Sequence, residues 1–128
     1  MDILNKFNFI GEYFRNDAGE VDVKSSEDKL SNKKNRLVYL FAVEDKVKYV
    51  GSTKRGYKRP LQYHSKINKK HKLRKVHSGI KEVLDSGRKI QVYARVFNNI
   101  EFEGLSLNLF LAYEEALIEK FGADLWNK

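Results

Sequence analysis

The chain has 128 residues, a formal net charge of +8 and no cysteine. This length suits one domain with one core, and the lack of cysteine excludes disulfides and zinc sites built on thiolates. No apolar run approaches the roughly 20 residues that a membrane-spanning helix needs. The N-terminus has neither the basic start nor the small-residue cleavage site of a secretory signal. We therefore expect a cytoplasmic protein.

The basic residues are concentrated in one segment. No acidic residue lies between Asp45 and Glu82, and this interval holds 13 of the 25 lysines and arginines. The rest of the chain carries the other 12 basic residues against 17 acidic ones. A segment with this charge usually binds a phosphate backbone, although a solvated face that aids solubility is the simpler interpretation.

Residues 1–35 differ from the rest, because the stretch from Arg15 to Asn35 is polar, rich in turn residues and short of core residues. We interpret residues 1–35 as an N-terminal arm, with a hairpin around Asp17-Ala18-Gly19. We assign residues 36–128 to the functional domain.

The domain begins with two predicted strands. Residues 37–43 are almost wholly apolar, which is typical of a buried strand, and residues 47–51 form the second strand after a short polar connection. If Val43 faces Val47 across a three-residue loop, Tyr39 and Tyr49 lie on the same side as diagonal neighbours. The two phenols are then expected to converge.

Three helices and one more strand follow. A helix is expected to begin near Tyr57, with Pro60 in its first turn, and a second helix spans about Leu73 to Leu84. The alternation in residues 89–97 predicts a half-buried strand. Residues 98–104 are interpreted as a loop, and the last helix runs from about Ser106 to Phe121. The predicted fold is α+β, with a small three-stranded antiparallel sheet flanked by helices in the order β-β-α-α-β-α.

The last helix carries a carboxylate among its apolar positions. Glu114 lies inside the stripe formed by Phe110, Leu117, Ile118 and Phe121. Burial of a carboxylate costs several kcal/mol unless it is paired or holds a cation. Glu114 is therefore interpreted either as the partner of a basic residue or as a metal ligand or catalytic group.

Arg59 and Tyr63 are four residues apart, so on the predicted first helix they share a face. Taken singly, Tyr39, Tyr49 and Tyr63 are each more often packing residues than catalytic ones. Their order and spacing together carry more information than any one of them.

In combination these residues resemble the GIY-YIG nuclease superfamily. Leu37-Val38-Tyr39 stands where the first triplet of that family lies, and Tyr49-Val50-Gly51 stands where the second lies. Arg59 stands where the family keeps its helix arginine, and Tyr63 stands where the family has a histidine or tyrosine. Glu114 has the spacing of the metal-binding glutamate, and Trp126-Asn127 resembles the closing asparagine motif. The resemblance covers roughly residues 36–128 and is strongest to the small phage endonuclease II and GIY-YIG restriction endonuclease branch.

The resemblance implies a metal-dependent DNA endonuclease that hydrolyses phosphodiester bonds. Tyr39 would act as general base, Arg59 would bind the phosphate, and Tyr49 and Tyr63 would position water or phosphate. Glu114 would hold one Mg²⁺ or Mn²⁺ per active site. The candidate nucleic-acid contacts are Lys48, Lys54, Arg55, Lys58, His64, Lys69, Lys70, Lys72, Arg74 and Asn127.

The resemblance leaves some alternatives open. His64 takes the place of Tyr63 if the register shifts by one residue, and Glu115 could likewise replace Glu114, although Glu115 aligns with the solvent-facing Glu119. The implied partner is double-stranded DNA, with no membrane, and a homo-oligomer, either a dimer or a tetramer, is consistent with the family. The competing function is a DNA- or RNA-binding module of the same fold that does not cut.

Overall fold

The structure is a computed structural model that describes residues 2–26, 35–69 and 73–127. Lys70 and Lys72 lie outside these ranges. Within the described residues, no helix is long and apolar enough to cross a membrane.

The central feature is a five-stranded antiparallel sheet with the strand order β2-β1-β5-β3-β4. Its strands are β1 (Asn8–Arg15), β2 (Val21–Ser25), β3 (Leu37–Val43), β4 (Lys46–Thr53) and β5 (Ile90–Val96). A separate two-stranded hairpin consists of β6 (Ile100–Phe102) and β7 (Leu105–Leu107). Strand β4 lies at one edge of the main sheet.

Three α-helices cover the sheet, namely α1 (His64–Asn68), α2 (Lys75–Asp85) and α3 (Leu109–Phe121). Short 3-10 turns lie at Ile3–Lys6, Gly56–Lys58 and Gly122–Asp124. Helix α2 forms because its apolar residues recur every three to four positions, which gives one face that the sheet can bury. The buried apolar residues of that face are Val76, Ile80, Val83 and Leu84.

Strand β3 is buried along its whole length because it contributes to two cores. Leu37, Tyr39 and Phe41 pack on one face with residues of α1 and α2. Val38 and Leu40 pack on the other face with Phe110 and Leu117 of α3, among others. Successive side chains of a strand point to opposite faces, so a strand covered on both sides is apolar without a polar alternation.

The predicted elements of the domain occur in the predicted order as β3, β4, α1, α2, β5 and α3, but the β6–β7 hairpin, which was not predicted, lies between β5 and α3. The prediction of a three-stranded sheet is wrong, because residues 1–35 contribute β1 and β2 to the same sheet. The register of β1 against β5 shifts between Phe9 and Gly11, which breaks the regular alternation and obscures the strand in the sequence. The expected hairpin around residues 17–19 is confirmed as the β1–β2 connection.

Two local predictions are also corrected. Residues 98–104, interpreted as a loop, contain β6 and the turn to β7, with Glu103 and Gly104 at positive φ. The helix expected from Tyr57 is instead a 3-10 turn, an irregular segment and then α1 at His64. Pro60 has no N–H group to donate, so a regular helix cannot continue through the preceding turns.

Candidate active site

The β3–β4 hairpin brings two tyrosines together. Its turn consists of Glu44 and Asp45, both at positive φ, and is one residue shorter than predicted. The register then shifts, because Phe41 pairs with Tyr49 while Ala42 pairs with Val47. The extra residue in β4 restores the phase of the strand, and the Tyr39 and Tyr49 ring centroids lie 6.2 Å apart. The predicted convergence of the two phenols is confirmed.

Gly51 makes room for the Tyr39 ring. The two residues are paired across the hairpin, and a Cβ atom at position 51 would lie 2.4 Å from Cζ of Tyr39. Only glycine allows the ring to lie flat over the neighbouring backbone. Tyr39 is 2% exposed.

The segment after β4 adds Arg59 and Tyr63 to the same face. The hydroxyl oxygens of Tyr39 and Tyr63 lie 2.5 Å apart and share a hydrogen bond. The Tyr63 ring centroid is 6.0 Å from that of Tyr49, and the guanidinium carbon of Arg59 is 5.1 Å from the Tyr63 centroid. The three phenols and the guanidinium therefore form one cluster, which we call the tyrosine cluster.

The register question at this position has a structural answer. Tyr63, and not His64, joins the tyrosine cluster, since Tyr63 is buried and bonded to Tyr39. The half-buried His64 lies with its ring centroid 6.2 Å from that of Tyr13, and its Nδ1 has no hydrogen-bond partner among the described residues.

Two phenols of the tyrosine cluster, those of Tyr39 and Tyr49, are held in their neutral form. Burial raises the pKa of Tyr39 and of Tyr49, and the negative charges that their neighbouring phenols would carry raise both pKa values further. The positive charge of Arg59 acts in the opposite direction on both residues and is outweighed. An ionised Tyr39 therefore requires additional positive charge beyond that of the described side chains.

Glu114 lies on α3, which packs on the face of the sheet opposite the tyrosine cluster. Among the described residues, no hydrogen bond or ion pair joins Glu114 to that cluster. The Glu114 carboxylate accepts a hydrogen bond of 2.8 Å from the hydroxyl of Ser52, which follows Gly51 in β4. Burial raises the pKa of Glu114, while the Ser52 hydrogen bond lowers it. No described basic residue forms an ion pair with Glu114, whereas the neighbouring Glu115 is exposed. Glu114 thus lies toward the sheet, as its place in the apolar stripe predicts, and its role as the functional carboxylate stays a prediction.

The donors near Glu114 are compatible with a hard divalent cation. No group of three or more histidine, cysteine, aspartate or glutamate residues that could hold a metal occurs in the described ranges. A fully protein-enclosed site is therefore not formed by these residues. Mg²⁺ is commonly held by one or two carboxylates and keeps most of its water ligands. The Glu114 carboxylate, next to the Ser52 hydroxyl, fits that requirement.

The predicted nucleic-acid contacts lie mostly on the surface. Of the predicted contacts within the described ranges, Lys48 is half-buried, and the exposed ones are Lys54, Arg55, Lys58, Lys69 and Arg74. None of these forms an ion pair with a described acidic residue. Their positive charge is therefore available to an anionic partner.

Asn127 has a different environment from these basic residues. Its side-chain amide donates to the Val50 carbonyl at 2.7 Å and accepts from the Val50 N–H at 3.1 Å. The Trp126 N–H donates to the Lys48 carbonyl at 2.6 Å. Both residues occupy the outer edge of β4, where free backbone groups need partners. The amide of Asn127 thus holds residue 127 on β4, and its predicted contact with nucleic acid stays a prediction.

Three residues around the site were not found by sequence reasoning. Ser52 is the hydrogen-bond donor to Glu114. His77 is buried with its ring centroid 5.4 Å from that of Tyr63. The Tyr13 hydroxyl donates a hydrogen bond to the Pro60 carbonyl and accepts one from the Tyr63 N–H. Only Ser52 had a sequence signal. Successive side chains of a strand point to opposite faces, so Ser52 faces away from the side on which Gly51 meets Tyr39, and toward α3.

No protein-family model matches the chain. It is 33% identical over 119 residues to Endonuclease II of Enterobacteria phage T4, with 84% of each chain covered. A solved structure of bacteriophage T4 EndoII with a glutamate-to-alanine substitution superposes with a TM-score of 0.69 at 24% identity, covering 90% of this chain and 87% of the other.

The restriction endonuclease HPY188I, solved in complex with product DNA, superposes with a TM-score of 0.52 at 18% identity, covering 91% of this chain and 74% of the other. At these identities the two superpositions support the fold alone. The extent and identity of the sequence match to the phage protein carry the family assignment. The chain belongs to the Endonuclease II family.

Proposed function

We propose that this chain is a metal-dependent DNA endonuclease of the GIY-YIG type, which hydrolyses phosphodiester bonds at a single active site. The observation that carries the proposal is the convergence of Tyr39, Tyr49, Tyr63 and Arg59 on one face of the β3–β4 hairpin. The relative's name, Endonuclease II, and the DNA complex of the restriction endonuclease support DNA as the substrate.

Arg59 is suited to bind the phosphate that is cut. Its guanidinium carbon lies 5.1 Å from the Tyr63 ring centroid, a cation–π contact that holds the group next to the phenols. A planar guanidinium binds phosphate oxygens through two parallel hydrogen bonds. In this proposal Arg59 orients the phosphate and neutralises charge that develops on its oxygens.

Tyr39 is the proposed acceptor of the proton of the attacking water. A phenol accepts this proton only as a phenolate, which burial opposes and the charge of Arg59 favours. The hydroxyl of Tyr63, at 2.5 Å from that of Tyr39, can donate a hydrogen bond to the phenolate oxygen and stabilise it. Tyr49 packs beside Tyr39 with the ring centroids 6.2 Å apart and would help to position the water or the phosphate.

Glu114 is the proposed ligand of one Mg²⁺ or Mn²⁺ ion, with Ser52 holding one carboxylate oxygen in position. A bound divalent cation would stabilise negative charge on the phosphate and on the attacking oxygen. The raised pKa of Glu114 has a direct consequence, because a carboxylate must lose its proton before it binds a cation. As the pH is lowered, Glu114 takes up its proton earlier than an ordinary glutamate does. The metal affinity should therefore begin to fall at a higher pH than it would for a site with an ordinary glutamate.

The decisive experiment is cleavage of supercoiled plasmid with Mg²⁺ and with EDTA. We expect nicked or linear products with Mg²⁺ and none with EDTA. Glu114→Ala should abolish cutting while leaving DNA affinity within about twofold, because it removes the metal ligand and not the basic surface. Tyr39→Phe should lose activity while remaining folded.

Glu115→Ala is the matched control, since Glu115 is the exposed neighbour of Glu114 on α3. It should cut like the unmodified protein. Full activity of Glu114→Ala would refute the assignment of the carboxylate. Salt-sensitive DNA binding without cutting under any of these conditions would instead support the alternative function, a non-catalytic DNA- or RNA-binding module.

A further inference from the structure

The segment that carries Arg59 and Tyr63 is not α-helical: its own backbone hydrogen bonds run from the Leu61 and Gln62 N–H groups to carbonyls three residues earlier. In an α-helix the Tyr63 N–H would donate to the carbonyl of Arg59, four residues earlier. Instead, it donates to the side-chain hydroxyl of Tyr13 at 3.0 Å. The Tyr13 hydroxyl in turn donates to the carbonyl of Pro60 at 2.5 Å. One phenol thus supplies both an acceptor and a donor to this irregular segment.

Tyr13 is itself held firmly. It lies in β1 between β2 and β5, and its side chain is 0% exposed. Its ring packs edge-on against Phe41 with the centroids 5.7 Å apart, and Phe41 also contacts Tyr63, at 5.0 Å between centroids. The Tyr13 hydroxyl therefore has little freedom to follow the segment if the segment moves.

A second contact joins β1 to the same segment. A Cβ atom placed on Gly11 would lie 3.1 Å from Cδ2 of Leu61 and 2.5 Å from the Lys24 carbonyl oxygen. The absence of a side chain at Gly11 lets Leu61 pack directly against the strand. Strand β1 thus contacts the segment at Pro60, Leu61 and Tyr63.

We infer that Tyr13 is a positioning residue of the active site, which holds residues 59–63 so that Arg59 and Tyr63 meet Tyr39. The inference rests on the proposed nuclease function. It makes β1 a functional part of the site, whereas the sequence placed it in an arm outside the domain. Tyr13 has no described contact with Arg59 itself and acts through the backbone of Pro60 and Tyr63.

The test uses Tyr13→Phe, which removes the hydroxyl and keeps the ring. We expect the single-turnover rate at saturating DNA to fall about tenfold to a hundredfold, because small displacements of catalytic groups have effects of that size. The DNA dissociation constant should stay within about twofold, since the basic surface is unchanged. The control is Tyr57→Phe, because Tyr57 is also buried and its hydroxyl bonds to no described residue.

A rate like that of the unmodified protein for Tyr13→Phe would overturn the inference, and so would an equal loss in Tyr57→Phe. Loss of DNA affinity in parallel with the rate would also overturn it, because positioning of the reacting groups predicts an effect on the rate alone. Both variants are assayed below the temperature at which either begins to unfold.

A spectroscopic measurement separates this inference from the proposed function. Ring currents of Tyr63 shift the NMR resonance of the Arg59 side chain, because the guanidinium lies over the ring. In Tyr13→Phe we expect that resonance to move toward the free-arginine position while Tyr57→Phe leaves it in place. An unchanged resonance overturns the positioning role. If the unmodified protein does not cut DNA, the proposed function fails, and this resonance still decides whether Tyr13 holds Arg59.

If Tyr13→Phe does not fold, amide hydrogen exchange of the unmodified protein provides the measurement. The hydrogen bond from the Tyr63 N–H predicts exchange far slower than in an unstructured peptide. Exchange at the rate of an unstructured peptide would overturn the inference.

Discussion

Tyr39 is nearly inaccessible in the free protein. Its pKa is raised above the ordinary phenol value, first by burial and then by its phenolic neighbours. Positive charge beside such a phenol is needed to stabilise its ionised form. As the proposed base, Tyr39 would need that charge from outside the described side chains.

His77 is a buried titratable group that packs against the tyrosine cluster. It is 2% exposed, and its Nδ1 accepts a 3.3 Å hydrogen bond from the Arg74 N–H at the start of α2. Burial lowers its pKa to about 4, and the positive charges of Arg74, Lys66 and Arg59 act in the same direction. The folded protein therefore keeps His77 neutral where the unfolded chain would protonate it.

This difference in pKa predicts a loss of stability on acidification. Between pH 6.5, the ordinary value for histidine, and pH 4, the unfolded chain binds a proton at His77 that the folded chain does not. The free energy of unfolding should therefore fall as pH decreases through this window, by roughly 3 kcal/mol from this residue. Urea unfolding at several pH values measures it.

His77→Gln provides the comparison, because glutamine does not titrate. The variant should be less stable at pH 7, where it loses the packing of the ring, and its stability should change less between pH 6.5 and 4. An identical pH dependence in the variant and the unmodified protein would contradict the assignment to His77.

At the scale of the elements, the β3–β4 hairpin sets the geometry of the site. A two-residue turn without any register shift would place Tyr49 on the face of the sheet opposite to Tyr39, whereas a three-residue loop would place both on the same face. The register shift at Lys48 compensates for it, so that Tyr39, Phe41 and Tyr49 share a face. Asn127 and Trp126 then hold the outer edge of this hairpin.

Gly51→Ala tests the fit of the hairpin to the Tyr39 ring. The new Cβ would overlap the ring, with 2.4 Å to Cζ and 2.6 Å to the hydroxyl oxygen. We expect a loss of stability of about 1–3 kcal/mol, as for other overpacked core positions. Thermal or urea unfolding measures the change.

The same substitution in a Tyr39→Leu background is the control. Leucine is shorter than tyrosine, so Gly51→Ala should cost clearly less there, and the double-mutant cycle should show coupling between the two positions. Equal costs in both backgrounds would mean that the loss does not come from contact with Tyr39.

At the scale of the whole molecule, charge is divided between regions. Lys54, Arg55 and Lys58 follow β4 directly and are exposed, so they lie in sequence between the Tyr49 and Arg59 of the tyrosine cluster. The other sheet edge is formed by β2. The proposed DNA would thus be attracted to the side of the molecule that carries the reactive groups.

DNA binding should weaken steeply with salt, because each neutralised phosphate releases counterions. The logarithm of the binding constant should fall linearly with the logarithm of salt concentration, with a slope near −0.9 per phosphate contact. Lys58→Gln should reduce the slope by about one contact. Fluorescence anisotropy with a duplex oligonucleotide measures the slope.

Lys24→Gln is the charge-matched control, because Lys24 is exposed on β2, at the opposite edge of the sheet. It should leave the slope nearly unchanged. A slope near zero for the unmodified protein, or equal effects of the two substitutions, would argue against the basic residues after β4 as the DNA-binding surface.

Much of the site could be predicted from sequence, because the relevant signals are local. The apolar run of β3, the position of Gly51 after Tyr49 and the carboxylate of Glu114 within an apolar stripe each depend on neighbours a few residues away. Strand β1 could not be predicted in the same way. Its register shift conceals the alternation, and its partner β5 lies about 80 residues further along the chain.

By itself, the sequence determined the order of β3, β4, α1, α2, β5 and α3 and the distribution of charge. These follow from side-chain periodicity and composition, which act over one element or one hairpin. Only the tertiary structure decided the number of strands, the position of Tyr63 rather than His64 beside Tyr39, and the contacts of Tyr13 with Pro60 and Tyr63. Each of those depends on hydrogen bonds and packing between segments far apart in the chain, for which no short pattern exists.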